Sequence, residues 1–324
     1  MRLKMNSYEN LGLTQRIMAK LAVASPSAVS RCLSNHGITP IDEGNIRNMR
    51  YSIADVRTAI RELLGPKEPI QFKKHIFYNF KGGTGKTSMC FQVSAHLALM
   101  GYNVLVIDAD PQAHLSLSLG ITDDNELTLY DIIVNNRRPE DAIKHIYPGL
   151  DCIPSNITLT RLEVELSQTT RREERFNLDL SDLAEKYDFV FIDTNPTISL
   201  LNRNAINYAD IINVVCETQP YSLNGLKLLM EDLNKFFYNM GISAKKINII
   251  PNKYEDRTAN SAEAMTVLKK YYTPFLKEDF AIRRSEDMIN SAKLSKPLAF
   301  FAKKNSIALE DIVELAHYIK SIAL

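Results

Sequence analysis

Two kinds of apolar periodicity alternate along most of this chain. After residue 72, short unbroken apolar runs recur, among them residues 75–79 (HIFYN), 103–107 (NVLVI) and 188–193 (DFVFID). Runs of this kind predict strands buried on both faces. Between them lie stretches with apolar residues three and four apart, such as Met89, Val93, Leu97 and Met100, closed by Gly101. That spacing predicts helices with one packed face. Strand and helix in alternation predict an α/β domain with a mostly parallel sheet, whose site lies at the C-terminal ends of the strands. A last helix is expected over residues 306–322, with Ser306 as cap and Ile312, Leu315, Ala316, Ile319 and Ile322 on a core-packing face.

Residues 1–64 follow a different pattern. A helix is expected from Thr14 to Ala24, with Ile17, Met18 and Leu21 inside. Ser25-Pro26-Ser27 then opens a second helix, since proline suits the first helical position. Ala28, Val29, Cys32 and Leu33 form its apolar face, Ser27, Ser30, Arg31 and Asn35 its polar one, and Gly37 ends it. Residues 44–50 read as a Gly/Asn turn carrying Arg47 and Arg50, suited to phosphate contacts. Ser52 to Asp55 resembles a capping box opening a third helix with Ile53, Val56, Ile60, Leu63 and Leu64 apolar, stopped by Gly65-Pro66. Two short helices around a turn, a basic hairpin and a further helix resemble the winged helix-turn-helix of MerR-type regulators, whose "Tyr-Ser-x-x-Asp-Val" is here Tyr51-Ser52-Ile53-Ala54-Asp55-Val56. The resemblance implies DNA contacts from Ser27, Ser30, Arg31, Arg47 and Arg50; a small helical oligomerisation module is the alternative. Residues 65–72 read as an exposed, semi-rigid linker, leaving 73–324 as the larger domain.

Composition narrows the picture modestly. The chain has 324 residues, 45% hydrophobic and 24% charged, with a net charge of +1. This is an ordinary globular balance, long enough for about two domains. The charge is uneven: residues 1–70 hold ten Lys/Arg against six Asp/Glu, and the remainder 29 against 32. A basic front end fits either a nucleic-acid module or a solvated surface. Cys32, Cys90, Cys152 and Cys216 form no CxxC pair, so neither a metal site nor a redox centre is expected. No apolar run approaches the roughly 18 residues of a membrane span, and no signal-peptide core is present, so a reduced, cytoplasmic protein is expected.

The most specific chemistry lies in Lys81-Gly82-Gly83-Thr84-Gly85-Lys86-Thr87-Ser88, between a predicted strand and a predicted helix. That is the order of a phosphate-binding P-loop. Glycines let backbone N–H groups approach phosphate oxygens, and the helix N-terminus adds a positive dipole. Lys86 is placed to reach the β- and γ-phosphates and Thr87 to ligate Mg²⁺. The extra Lys81 ahead of Gly-Gly resembles the deviant Walker A box of the ParA/MinD ATPases. The resemblance implies that Lys81 reaches the nucleotide of a partner subunit; a plain surface lysine is the alternative.

Further segments resemble the same family in order. Asp108-Ala109-Asp110-Pro111-Gln112 is similar to its Asp-x-Asp-Pro-Gln box, implying roles for Asp108 in holding Mg²⁺ and for Asp108 and Asp110 in orienting the attacking water. Asp193 ends a Walker B-like strand and implies a second Mg²⁺ ligand, although Asn195 departs from the usual x-Pro-Pro that follows. Ile249 to Tyr254 is similar to the loop that holds the adenine base, with Asn252 matching the base contact. Ile282-Arg283-Arg284-Ser285-Glu286 resembles a stretch that gives relatives basic DNA contacts, which Arg283 and Arg284 would supply unless they are plain surface arginines. Taken together, the resemblance covers nearly all of residues 73–322 and points to plasmid-type ParA partition proteins. It implies ATP and Mg²⁺ as cofactors and a weak ATPase closing an ATP-dependent homodimer on non-specific DNA. It also implies a nucleoid-associated location, a centromere-binding ParB-type partner, no membrane, and repression of an operator through the front end. Three alternatives remain at this point: a nucleotide-sensing repressor, a MinD-like membrane-positioning ATPase, and a nitrogenase-reductase-like electron carrier.

Overall fold

The apolar runs pair into a seven-stranded sheet in a computed structural model, which describes residues 11–41 and 49–324. Ahead of the sheet come β1 (Gly12–Thr14), α1 (Gln15–Leu21), α2 (Pro26–Asn35), β2 (Arg50–Ser52) and α3 (Ile53–Leu63). Next are β3 (Lys74–Tyr78), α4 (Lys86–Leu99), β4 (Val104–Ala109), α5 (His114–Ser118), α6 (Leu129–Ile133), β5 (Lys144–Tyr147) and β6 (Leu150–Ile153). They are followed by α7 (Leu159–Gln168), α8 (Arg175–Ala184), β7 (Phe189–Thr194), α9 (Leu200–Tyr208), β8 (Ile211–Glu217) and α10 (Pro220–Met240). The chain closes with β9 (Lys246–Asn252), α11 (Ala259–Tyr272), α12 (Glu286–Leu294) and α13 (Ile307–Ala323).

The strand order is β5-β6-β4-β7-β3-β8-β9, parallel throughout except for the antiparallel edge strand β5. Successive side chains along each strand face opposite sides of the sheet. Phe77, Val104, Val106, Phe189 and Phe191 therefore enter one apolar layer. Ile76, Tyr78, Leu105, Ile107, Val190 and Ile192 enter the other. Helix α4 is buried almost all round, because α13 covers the side turned away from the sheet. In α13, Ser306 caps the helix by accepting from Leu309 N, and Ile312, Leu315, Ala316 and Ile319 are fully buried. Among the described residues, no helix is long and apolar enough to cross a membrane.

At the N-terminus, Leu13 and Tyr51 pair across the β1–β2 ribbon, and α1, α2 and α3 pack on one another. Ser25 caps α2 through Ala28 N with Pro26 at the first helical position, and Ser52 caps α3 through Asp55 N. The apolar residues of this unit join the layer formed by α4 and α13. Polar contacts fasten it there. The Arg57 guanidinium donates to Ala98 O, to Tyr102 O at 2.8 Å and to Asn103 Oδ1 at 3.0 Å. His317 bonds Leu21 O at 2.9 Å, and Lys20 pairs with Glu310 at 3.1 Å. Even the connecting segment is pinned, because Gln71 N and Phe72 N both donate to Ala323 O.

Candidate nucleotide-binding site

Parallel pairing brings the C-terminal ends of β3, β4, β7, β8 and β9 to one edge of the sheet, and the Gly-rich loop lies across it. Gly83 and Gly85 adopt φ of +75° and +99°. At Gly85 a Cβ would also stand 2.4 Å from Asn252 Nδ2, so glycine is needed twice over. The Asn252 amide donates to Thr84 O at 2.7 Å and fixes the loop from the end of β9. Above the loop opens a cleft of about 720 Å³, walled by the loop, Asp110, Thr194, Asn252 and α12. That volume suits a ligand the size of a nucleotide.

Charge is concentrated on the floor. Lys86 is buried, and its Nζ donates to Lys81 O at 3.4 Å. Burial draws Lys86 below the ordinary lysine value, against the opposing pull of Asp193 and Asp110. Asp193 pairs in register with Asp108 on the neighbouring strand and is wholly buried. Neither of its oxygens has a well-formed hydrogen bond, although Thr87 lies near enough to act on it. Burial first, then the charge of Asp108, pushes the Asp193 carboxyl well above the usual carboxylate range, with Thr87 and Lys86 opposing. An orphaned carboxylate beside a threonine hydroxyl offers oxygen ligands that a hard divalent cation would satisfy, and the buried lysine suits the phosphates. The residues present therefore fit a Mg²⁺–nucleotide.

Residues 73–248, more than half of the chain, match the family described as AAA domain. Cell division protein PomZ of Myxococcus xanthus (strain DK1622) is 33% identical over 242 residues, which cover 74% of this chain and 75% of PomZ. Chromosome partitioning protein ParA of Caulobacter vibrioides (strain NA1000 / CB15N) is 30% identical over 230 residues, covering 70% of this chain and 86% of ParA. The chain belongs to the ParA family of P-loop ATPases. The structure of Cyanothece McdA in complex with ATP superposes with a TM-score of 0.68, at 22% identity, over 77% of this chain and 97% of that one. At that identity the likeness speaks for the fold alone.

Within this ParA-family site, Gly82, Gly83, Gly85, Lys86, Thr87, Ser88, Asp110 and Asn252 all line the cleft, while Thr84 is buried beneath it. Asp110 is turned into the cleft and accepts from Gln112 N at 2.9 Å. Asp108 is placed differently from the sequence expectation. One of its oxygens accepts from Ser116 N and Ser116 Oγ, at 2.9 and 2.7 Å, and the other from Asp110 N at 3.1 Å. Burial raises its pKa to about 6 despite these bonds. Asp108 thus holds α5 and the Asp110 turn in place, with both oxygens engaged and no face on the cleft. Asn252 likewise has its amide engaged with the loop while lining the cleft.

The two arginines part company. Arg283 forms a forked pair with Asp311 of α13, with contacts of 2.5 to 3.1 Å, and its backbone N–H adds a fourth bond. This ties the cleft wall to α13 and engages Nε and one terminal nitrogen of Arg283, whose side chain stays 32% exposed. Arg284 is exposed and pairs with Glu255 at 2.7 Å. On α2, Ser27, Ser30 and Arg31 share one exposed face. Arg50 is half-buried in β2, and Arg47 lies outside the described residues.

Lys81 is exposed at the mouth of the cleft. Its Nζ lies 2.6 Å from Glu217 Oε2 and 3.2 Å from Ser222 Oγ. Lys253 reaches the same carboxylate from the other side, at 2.7 Å from Oε1, while also donating to Gly83 O at 2.6 Å. Sequence reasoning missed Glu217, Ser222 and Lys253. Lys253 lies in the Ile249 to Tyr254 segment without a role of its own there, Glu217 and Ser222 belong to no local motif, and the β8–β9 register sets Glu217 opposite Asn252 beside the loop.

Proposed function

We propose that this chain is a ParA-type partition ATPase in which ATP and Mg²⁺ close a homodimer. That dimer binds DNA without sequence preference, carries a replicon or other cargo, and opens when a centromere-binding partner stimulates hydrolysis. The observation that supports this best is the division of labour between two lysines. Lys86 is buried under the loop and serves the phosphates of its own subunit. Lys81 is left over, half-exposed next to Gly82 of the cleft wall, where a second copy could approach. Bound Mg²⁺ would neutralise developing phosphate charge, held through Thr87 and Asp193, while Asp110 orients water. The ADP-bound and ATP-bound states then differ in the number of subunits, so ligand and assembly are linked.

The exposed Ser27–Ser30–Arg31 face of α2, in the same N-terminal unit as Arg50, supports a second role, binding an operator through a winged helix-turn-helix. A MinD-like membrane reading is disfavoured, because the apolar face of α13 is spent on α4. Sedimentation of wild type and Lys81→Ala with saturating ADP or ATP–Mg²⁺ tests the proposal. Wild type is expected to be a monomer in ADP and a dimer in ATP, and K81A a monomer in both. A K81A dimer as tight as wild type would sink the reading.

A further inference from the structure

Glu217 stands at the end of β8, directly across from Asn252 at the end of β9. Its side chain is only 13% exposed, yet it faces two lysines whose side chains are 51% and 43% exposed. Each carboxylate oxygen serves one of them. The two are not equally held. Lys253 follows β9 with φ of +56°, and that left-handed turn sends its ammonium back over the loop, where Gly83 O gives it a second anchor. Beyond Glu217, the Lys81 ammonium has, among the described residues, only the longer bond to Ser222 Oγ. If Lys81 leaves, Lys253 remains to neutralise the carboxylate, so no buried charge is stranded. If Lys253 left, the loop would lose its brace as well.

We propose that Glu217 is a positioning residue that parks Lys81 within its own subunit and sets the threshold for dimer closure. This rests on the reading of Lys81 as a lysine that acts on the partner subunit's nucleotide. A lysine cannot serve Glu217 and a phosphate of another subunit at once. Closure therefore exchanges the pair at 2.6 Å for a contact across the interface, and only the difference between the two drives assembly. The parked pair lowers the population of dimer at limiting ATP and shields the free monomer from premature closure. Ser222, at the start of α10, contributes the weaker half of the same parking site.

The test is the dimer dissociation constant of the full chain in Mg²⁺ and the non-hydrolysable analogue AMPPNP, measured by sedimentation. The variants are Glu217→Gln, Ser222→Ala, Lys81→Ala and the Glu217→Gln/Lys81→Ala double. Glutamine keeps the shape and removes the charge. E217Q is expected to dimerise about two- to thirtyfold more tightly than wild type, because closure breaks two partly exposed ion pairs, one in each subunit. S222A is expected to shift the same way by less, and the double variant to match K81A. E217Q dimerising no more tightly than wild type, while K81A is weakened, overturns the parking role and leaves the role of Lys81 standing. Tightening by E217Q that persists in the K81A background also overturns it, since Glu217 would then act on something other than Lys81. K81A dimerising like wild type removes both.

Discussion

At the scale of single residues, the site is built from groups that the folded chain holds at a cost. Asp193 is the clearest. It is a buried carboxylate with no well-formed hydrogen bond, and its raised pKa shows that the ionised form is disfavoured there. Leaving such a group unpaired costs about 1–3 kcal/mol. The nucleotide-free Asp193→Asn variant should therefore melt several degrees above wild type, at roughly 2–4 °C per kcal/mol. It should also lose the extra thermal stabilisation that Mg²⁺ adds to ATP in wild type. A nucleotide-free D193N that melts lower, or one that keeps the Mg²⁺ effect, would show that the carboxylate is structural. Asp108 gives the contrast. The two aspartates are adjacent in register and equally buried, but three donors already satisfy Asp108. An Asp-x-Asp pattern announces two carboxylates at a strand end, and which of them faces the ligand depends on Ser116, eight residues away in a different element.

At the scale of elements, the strands, α4 and α13 were legible because each writes its burial into a local pattern. Residues 103–107 and 188–193 are unbroken apolar runs and became β4 and β7, central strands buried on both faces. The caps at Ser25, Ser52 and Ser306 follow from a hydroxyl at the first turn. What was not legible depends on register between distant strands. The lysine–glutamate cluster joins residues 136 positions apart, and the wall formed by α12 has no phosphate motif of its own. His75 in β3 also gave no signal, yet it has a measurable consequence. It lies among Phe189 and Phe191, bonds Phe72 O at 3.0 Å and faces Asn213 Nδ2 at 3.3 Å. Donating to the carbonyl and accepting from the amide describes a neutral ring, and burial pushes its pKa down to about 3. The unfolded chain takes up this proton near pH 6.5 while the folded chain does not. The stability it supports is thus complete above about 6.5 and falls with pH below that, by about 1.4 kcal/mol per pH unit. Urea unfolding of wild type and His75→Gln between pH 7 and 5.5 should show the wild type losing about 1.2 kcal/mol to the variant, the slope still approaching its limit in that range. Parallel profiles would contradict a neutral buried ring.

At the scale of the whole molecule, one helix joins the nucleotide site to the N-terminal unit. Helix α4 starts at Lys86 on the phosphate loop and runs about 21 Å. Near its far end, Arg57 of the N-terminal unit grips Ala98 O and Tyr102 O. The N-terminal unit is therefore seated on the helix that begins at the nucleotide, and on α13, which also carries the Arg283 partner Asp311. Residues 1–64 read on their own as a separate module. The packing of α1 and α3 against α13 and α4 could not be read from that segment alone, because it depends on complementary apolar faces in other elements, those of α13 nearly 300 residues away from α1.

The central claim is that nucleotide state controls DNA binding through Lys81. The most direct test is binding of wild type and Lys81→Ala to random-sequence DNA with ADP, with ATP–Mg²⁺ and without nucleotide, at two salt concentrations. Wild type is expected to bind only in ATP, weakening steeply as salt rises because phosphate contacts release counterions, and K81A not at all. Binding that ignores the nucleotide, or that survives in K81A, would contradict the claim.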